Sequence, residues 1–228
     1  MPLSGHSMSV VPRLRHLLVV GGESVGSQVL DFILLFDPIA AKSVTLNPQT
    51  GFAPQLTAAV SVAPNAPALA RHTMTLTIDG RAIILGGTTA QGILANLTSA
   101  YVMDTQSPEA AWKQVPLLGT PPDPRIAFTT VMVNATTLLL YGGTNDFKSA
   151  YWVTFYLDLP TWTWSSPMAQ GTIPRRWGHT ATMVGNTMVV MFGKEHARMK
   201  KKNAHFILQE RRYILFLIQG DREQERQG

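Results

Sequence analysis

The side chains of this 228-residue chain best suited to chemistry are three histidines, His6, His72 and His179, and a group of residues placed just ahead of apolar runs: Arg71, Arg125, Arg175, Arg176 and Trp177. Imidazole titrates near neutral pH and ligates metals, while guanidinium forks grip carboxylates through paired hydrogen bonds. A metal needs ligands that converge on one point. The three histidines instead open separate apolar segments, and in a fourth such segment Phe128 fills the same slot. They therefore read as one repeated structural position, with no metal expected. The chain has no cysteine, which removes disulfides, thiolate zinc centres, iron–sulfur clusters and a cysteine nucleophile. No Ser-His-Asp arrangement, phosphate-cradling glycine loop or paired carboxylates stand at catalytic spacing. The expectation is a chain with no catalytic residue and no cofactor.

The net charge of +5 is unevenly spread. Residues 1–193 carry 10 Lys+Arg against 9 Asp+Glu, whereas residues 194–228 carry 9 against 5. Nucleic-acid binding calls for a basic stripe interleaved with aromatics on the folded body. This body is close to neutral, so a nucleic-acid partner is not expected. No apolar stretch approaches the roughly 18 residues that span a bilayer. The short apolar run 17–20 stops at Gly21-Gly22, too soon for a secretory signal. Two glycosylation sequons, at Asn96 and Asn134, fall in expected loops and tilt the balance towards export without settling a compartment.

The elements that must position these residues repeat. Gly-Gly pairs occur at Gly21-Gly22, Gly86-Gly87 and Gly142-Gly143. A segment of the type His72-Thr73-Met74-Thr75 lies 14 residues before Gly86, Phe128-Thr129-Thr130-Val131 lies 14 before Gly142, and His179-Thr180-Ala181-Thr182 lies 14 before Gly193. His6-Ser7-Met8-Ser9 lies 15 before Gly21. In this register the fourth copy replaces Gly-Gly with Gly193-Lys194. Each copy reads as a β-hairpin; in the second, residues 73–78 and 81–85 flank Asp79-Gly80, a dipeptide suited to a type I′ turn. The second strands are continuously apolar (83–85, 138–140, 189–191), the mark of a strand buried on both faces. A third strand then ends at Asp37, Asp104 or Asp158, where the carboxylate is expected to cap a turn. Trp112 and Trp164 mark the fourth strand, and both are expected to pack between neighbouring units.

Four strands per unit, an apolar run closing in Gly-Gly, an aromatic–Asp third strand and a later Trp resemble the kelch repeats. The first glycines are 65, 56 and 51 residues apart, near the kelch period of about 50. The resemblance implies an all-β protein, an incomplete kelch-type β-propeller of four-stranded antiparallel blades. Units fall at about 5–46, 71–118, 125–170 and 176–193, the last a half unit, with residues 47–70 as a loop insertion. Residues 194–228 form an atypical basic tail, in which 203–208 could be a degraded third strand and 212–218 a fourth strand or short helix. Propellers close with about four to eight blades, so an unclosed arc leaves two apolar flanks open, and three readings follow: the chain is part of a longer one, it self-associates, or it is a truncated or mis-spliced gene product.

In kelch domains that recognise a partner, the loops leading into the first strands ring one face and their arginines hold acidic groups. The resemblance therefore implies a non-catalytic scaffold binding a protein or glycan through Arg71, Arg125, Arg175, Arg176 and Trp177. The bland alternative is that these residues are solvated or hold a neighbouring blade. A galactose-oxidase-type carbohydrate oxidase is a second reading, although the cross-linked cysteine of that cofactor is missing here. A third is a truncated gene product, its tail read-through, with no independent function.

Overall fold

The computed structural model describes residues 4–11, 16–23, 33–36, 65, 67–107, 111–166, 174–185, 187–195, 205–209 and 212–216. These residues contain strands and no helix, arranged in four sheets. The first sheet holds β1 (Ser7–Val11), β2 (His16–Val20) and β3 (Ile33–Phe36). The second holds β4 (Thr73–Leu76), β5 (Arg81–Leu85), β6 (Ser99–Asp104) and β7 (Lys113–Pro116). After a two-residue strand β8 (Leu118–Gly119), the third is built from β9 (Ile126–Met132), β10 (Thr137–Thr144), β11 (Thr154–Asp158) and β12 (Thr163–Ser165). The fourth holds β13 (Arg176–Val184), β14 (Thr187–Glu195), β15 (His205–Gln209) and β16 (Arg212–Phe216). Within each sheet successive strands pair antiparallel in chain order. Both strand readings in the basic tail correspond to β15 and β16. Asp37 and the expected insertion 47–70, apart from residues 65 and 67–70, lie outside the described residues.

The sheets stand side by side as propeller blades do, with first strands as neighbours: β1 against β4, β4 against β9, β9 against β13. Side chains on a strand alternate between faces, and this explains the unbroken apolar runs. On β5, Ala82 and Ile84 pack with Val11, Leu18 and Val20 of the first sheet, while Ile83 and Leu85 pack with Leu138 and Leu140 of the third. On β10, Leu139 and Tyr141 turn the other way, towards Met188 and Val190 of the fourth. A strand between two neighbours has no polar face to offer.

The tryptophans close these joints at the outer strands. Trp112 is buried with first-sheet residues, and Trp164 with second-sheet residues, where its Nε1–H donates to Leu97 O at 2.9 Å. A connection adds to the same joint: β8, just past the second sheet, pairs parallel with β12 on the edge of the third, and Leu118 N donates to Trp162 O at 2.8 Å. Asp104 and Asp158 cap turns as expected, accepting from Gln106 N at 2.8 Å and from Thr161 N at 3.1 Å.

Two local readings are corrected. The β4–β5 turn is not type I′, which needs positive φ at both central residues; of Asp79 and Gly80 only Gly80 has one, at 84°. The loop is three residues long, closed by Thr77 N donating to Arg81 O at 2.8 Å, and held by Arg81 N donating to Thr77 Oγ1 at 2.9 Å. The second correction concerns the fourth glycine pair. Phe128 faces Gly142 across its hairpin, but His179 faces Phe192. The pair equivalent to Gly142-Gly143 is therefore Phe192-Gly193, and Lys194 lies beyond it. The cause is the turn: Val184 pairs directly with Thr187, leaving two residues between them, against five between the paired Met132 and Leu138.

Replacing Trp164 or Trp112 with Ala is expected to lower unfolding free energy by about 3–5 kcal/mol. Chemical denaturation of each variant measures this, and an unchanged midpoint would contradict the packing described.

Candidate functional site

In an antiparallel blade the lead into the first strand, the loop after the second strand and the start of the third all lie at one end of the sheet. That end gathers the candidate residues. The residue before each slot residue has positive φ: Gly5 65°, Arg71 57°, Ala127 53° and Gly178 65°. The lead-in thus enters every blade through the same kink, and in the second, third and fourth blades the side chains three positions before the slot, Leu69, Arg125 and Arg176, are buried.

Arg125 and Arg176 occupy that buried position. Arg125 is 1% exposed. Its Nε donates to Asp123 O at 2.9 Å and its Nη1 to Gly142 O at 3.1 Å, and its guanidinium lies 3.9 Å from the centre of the Tyr151 ring. Burial pulls its pKa down to about 10. Arg176 is buried too, with Nη1 donating to Phe192 O. Both guanidiniums are thus committed to carbonyls at the glycine-pair position of their own blade. Their geometry is that of blade-holding groups.

Arg71, Arg175 and Trp177 are the candidates within reach of solvent. Arg71 sends Nη2 and Nε to one oxygen of Glu23, at 2.7 and 3.2 Å, and its guanidinium stands 5.2 Å from the Phe147 ring centre. Phe147, 45% exposed, meets Trp177 edge-on at 5.4 Å, and Lys194 Nζ lies 4.9 Å over Trp177. The result is a line in which two aromatic rings stand between charged groups, Glu23–Arg71–Phe147–Trp177–Lys194, with residues from all four blades. Arg175, exposed, leads into the same end. Sequence reasoning missed Glu23, Phe147 and Lys194. Phe147 carried a readable signal, an aromatic inside the polar turn Thr144-Asn145-Asp146. Asp146 accepts from Lys148 N and Ser149 N, and these bonds hold its carboxyl below the usual range and fix the turn. Asn96 and Asn134 are exposed elsewhere, each with its Oδ1 accepting from the backbone two residues on.

The histidines do not converge. His72 Nε2 and Ser7 Oγ share a hydrogen bond of 2.6 Å between the first two blades, and His179 Nε2 and Thr129 Oγ1 share one of 2.8 Å between the last two. His6 is exposed. At the middle joint Phe128 stands in the slot, and the facing hydroxyl, Thr73 Oγ1, is buried without a hydrogen-bond partner. Thr75 and Thr130 hydroxyls, 2.6 Å apart, supply the polar link there instead. Among the described residues no group of three or more His, Asp or Glu is placed to hold a metal.

The kelch-repeat family described as the KLHDC2/KLHL20/DRC7 Kelch-repeats domain matches residues 71–228. The chain belongs to this family. Adagio protein 3 of Arabidopsis thaliana is 28% identical over 199 residues, covering 84% of this chain and 29% of that protein. Adagio-like protein 1 of Oryza sativa subsp. japonica is 25% identical over 181 residues, 78% of this chain and 26% of its own. Kelch domain-containing protein 3 of Bos taurus is 38% identical over 87 residues, 38% of this chain and 22% of its own. The chain spans less than a third of the length of each of these relatives. The match runs through the basic tail, consistent with strands β15 and β16 lying there.

Burial drives His72 down to about 4, with His6 adding repulsion, and His179 down to about 3, with Arg176 adding repulsion. Unfolded, both titrate near 6.5. Between those values the unfolded chain binds more protons, so stability must fall as pH falls from about 6.5 towards 4. Melting temperature against pH should be flat above 7 and decline below 6.5, less steeply in His179→Phe. A flat profile down to pH 4.5 would contradict the buried, neutral assignment.

Proposed function

We propose that this chain is a non-catalytic kelch-repeat scaffold that binds an acidic segment of a protein through its lead-in face. The observation that carries the reading is the line Arg71–Phe147–Trp177–Lys194, with Arg175 exposed beside it. Glu23 illustrates the chemistry: its carboxylate oxygen receives both Nη2 and Nε of Arg71. Aromatic surface next to cations favours a partner with carboxylates and apolar side chains in alternation, since aromatics and Arg dominate binding energy at interfaces. The blades hold this face rigidly while the loops vary, the usual division of labour between scaffold and recognition.

The test is binding of a fluorescent Glu-rich peptide in 0.15 M salt, compared between wild type and an Arg175→Glu, Lys194→Glu double variant. Reversing two exposed charges should weaken binding by about tenfold or more, with the melting temperature unchanged. Equal binding by both proteins contradicts the proposal. Capture of a neutral oligosaccharide, lost in Trp177→Ala but kept in the charge variant, would assign the face to glycans instead.

A further inference from the structure

At each inner joint, the first glycine of the pair makes room for the neighbouring blade. A Cβ on Gly21 would meet Leu69 O and stand 2.9 Å from His72 Cε1. One on Gly86 would stand 2.7 Å from Phe128 Cε1 and 3.0 Å from Arg125 O. One on Gly142 would meet Arg176 O and stand 2.7 Å from His179 Cε1. In every case the obstacle is the lead-in carbonyl and the slot ring of the next blade. The second glycine instead makes room within its own blade, since Cβ atoms on Gly87 and Gly143 would strike the slot residues His72 and Phe128.

The fourth blade keeps the second glycine and loses the first. A Cβ on Gly193 would lie 2.8 Å from His179 Cβ, as the second glycines do. Phe192 occupies the first position by two independent measures. It pairs with the slot residue His179 as Gly142 pairs with Phe128. Its carbonyl accepts from Arg176 as that of Gly142 accepts from Arg125. It also keeps the backbone of the glycine it replaces, φ 63° against 58°, 63° and 70° at Gly21, Gly86 and Gly142. That conformation is a rare one for a bulky residue, and such an outlier argues for a role. Its side chain is 69% exposed, and at the equivalent Gly142 a Cβ faces the next blade.

One further position on β13 matches the inner joints. Thr180 stands where Ser7 and Thr129 stand, the hydroxyl position that meets the neighbour's slot histidine. The first blade offers the complement: His6 exposed in the slot, with Met8 and Val10 exposed beside it. At these positions the two flanks of the chain are complementary head to tail, and Phe192 interrupts the match.

We infer that Phe192 is a stop: it closes the outer flank of sheet β13–β16 to a kelch blade, and so prevents the β1 flank of a second copy from docking there. The obstruction is the Cβ and ring at a position where three joints tolerate only hydrogen. Assembly of copies is thereby limited by one side chain, with complementary surface held on either side of it.

The experiment compares sedimentation of the full chain as wild type, Phe192→Ala and Phe192→Gly, with folding checked by circular dichroism. Glycine removes the obstruction and should strengthen head-to-tail association at least about tenfold, an effect abolished by adding Met8→Asp on the opposite flank. Alanine keeps the Cβ and should behave as wild type. Relief of left-handed strain should also raise the melting temperature of Phe192→Gly by roughly 2–8 °C, showing that the variant folds. Association of the alanine variant as strong as that of the glycine variant overturns the inference, as does a folded glycine variant that associates no better than wild type.

Discussion

Blade stacking in this chain depends on one close approach. A lead-in carbonyl and a slot ring from one sheet come within contact of the Cα of a glycine in the sheet before it, and they do so three times, at Gly21, Gly86 and Gly142. The left-handed φ at these positions bends the end of each second strand, and the missing side chain lets the next backbone settle into the bend. With the spacing fixed there, alternate side chains of β5 and β10 reach both neighbours and the apolar runs are buried on each face. The tryptophans and the β8–β12 pairing then close the joint at its outer edge.

Polar groups at these joints are structural because they are dry. The His72–Ser7 and His179–Thr129 bonds sit where burial keeps imidazole neutral, and the buried guanidiniums of Arg125 and Arg176 donate to the carbonyls of Gly142 and Phe192. Two positions further along, the kinked backbone sends Arg71 outward to Glu23 and Phe147. A shift of two residues along the lead-in thus separates a group that stabilises a blade from one that can meet a ligand.

Much of this is legible in the sequence. Continuous apolar triplets, glycine pairs at one offset, and Asp and Trp at repeating intervals specify strands, register and joints, because each follows from local backbone need. The fourth unit reads one residue out of register because its shorter connection between the paired Val184 and Thr187 moves the glycine pair, a change that spacing alone treats as a substitution. The preceding proline does not separate the arginines, but their offset from the slot does: Arg125 and Arg175 both follow proline, yet Arg125, three positions before its slot, is buried and Arg175, four before, is exposed. Phe147 joins the face through a contact between sheets, which no local pattern encodes, and Lys194 joins it as the cross-strand partner of Trp177. The parallel pairing of β8 with β12 has the same origin.

The central claim is that the first glycine of each pair is required by its neighbour and not only by its own φ. Gly142 and Gly178 separate the two causes, since both have positive φ, 70° and 65°, but a Cβ on Gly178 meets nothing within 4 Å. The deciding measurement is the unfolding free energy of Gly142→Ala set against Gly178→Ala. The account predicts a loss of about 1–2 kcal/mol at Gly178 from backbone strain and a further loss of roughly 1–3 kcal/mol at Gly142 from overpacking against the fourth blade. Equal losses at the two positions would contradict it.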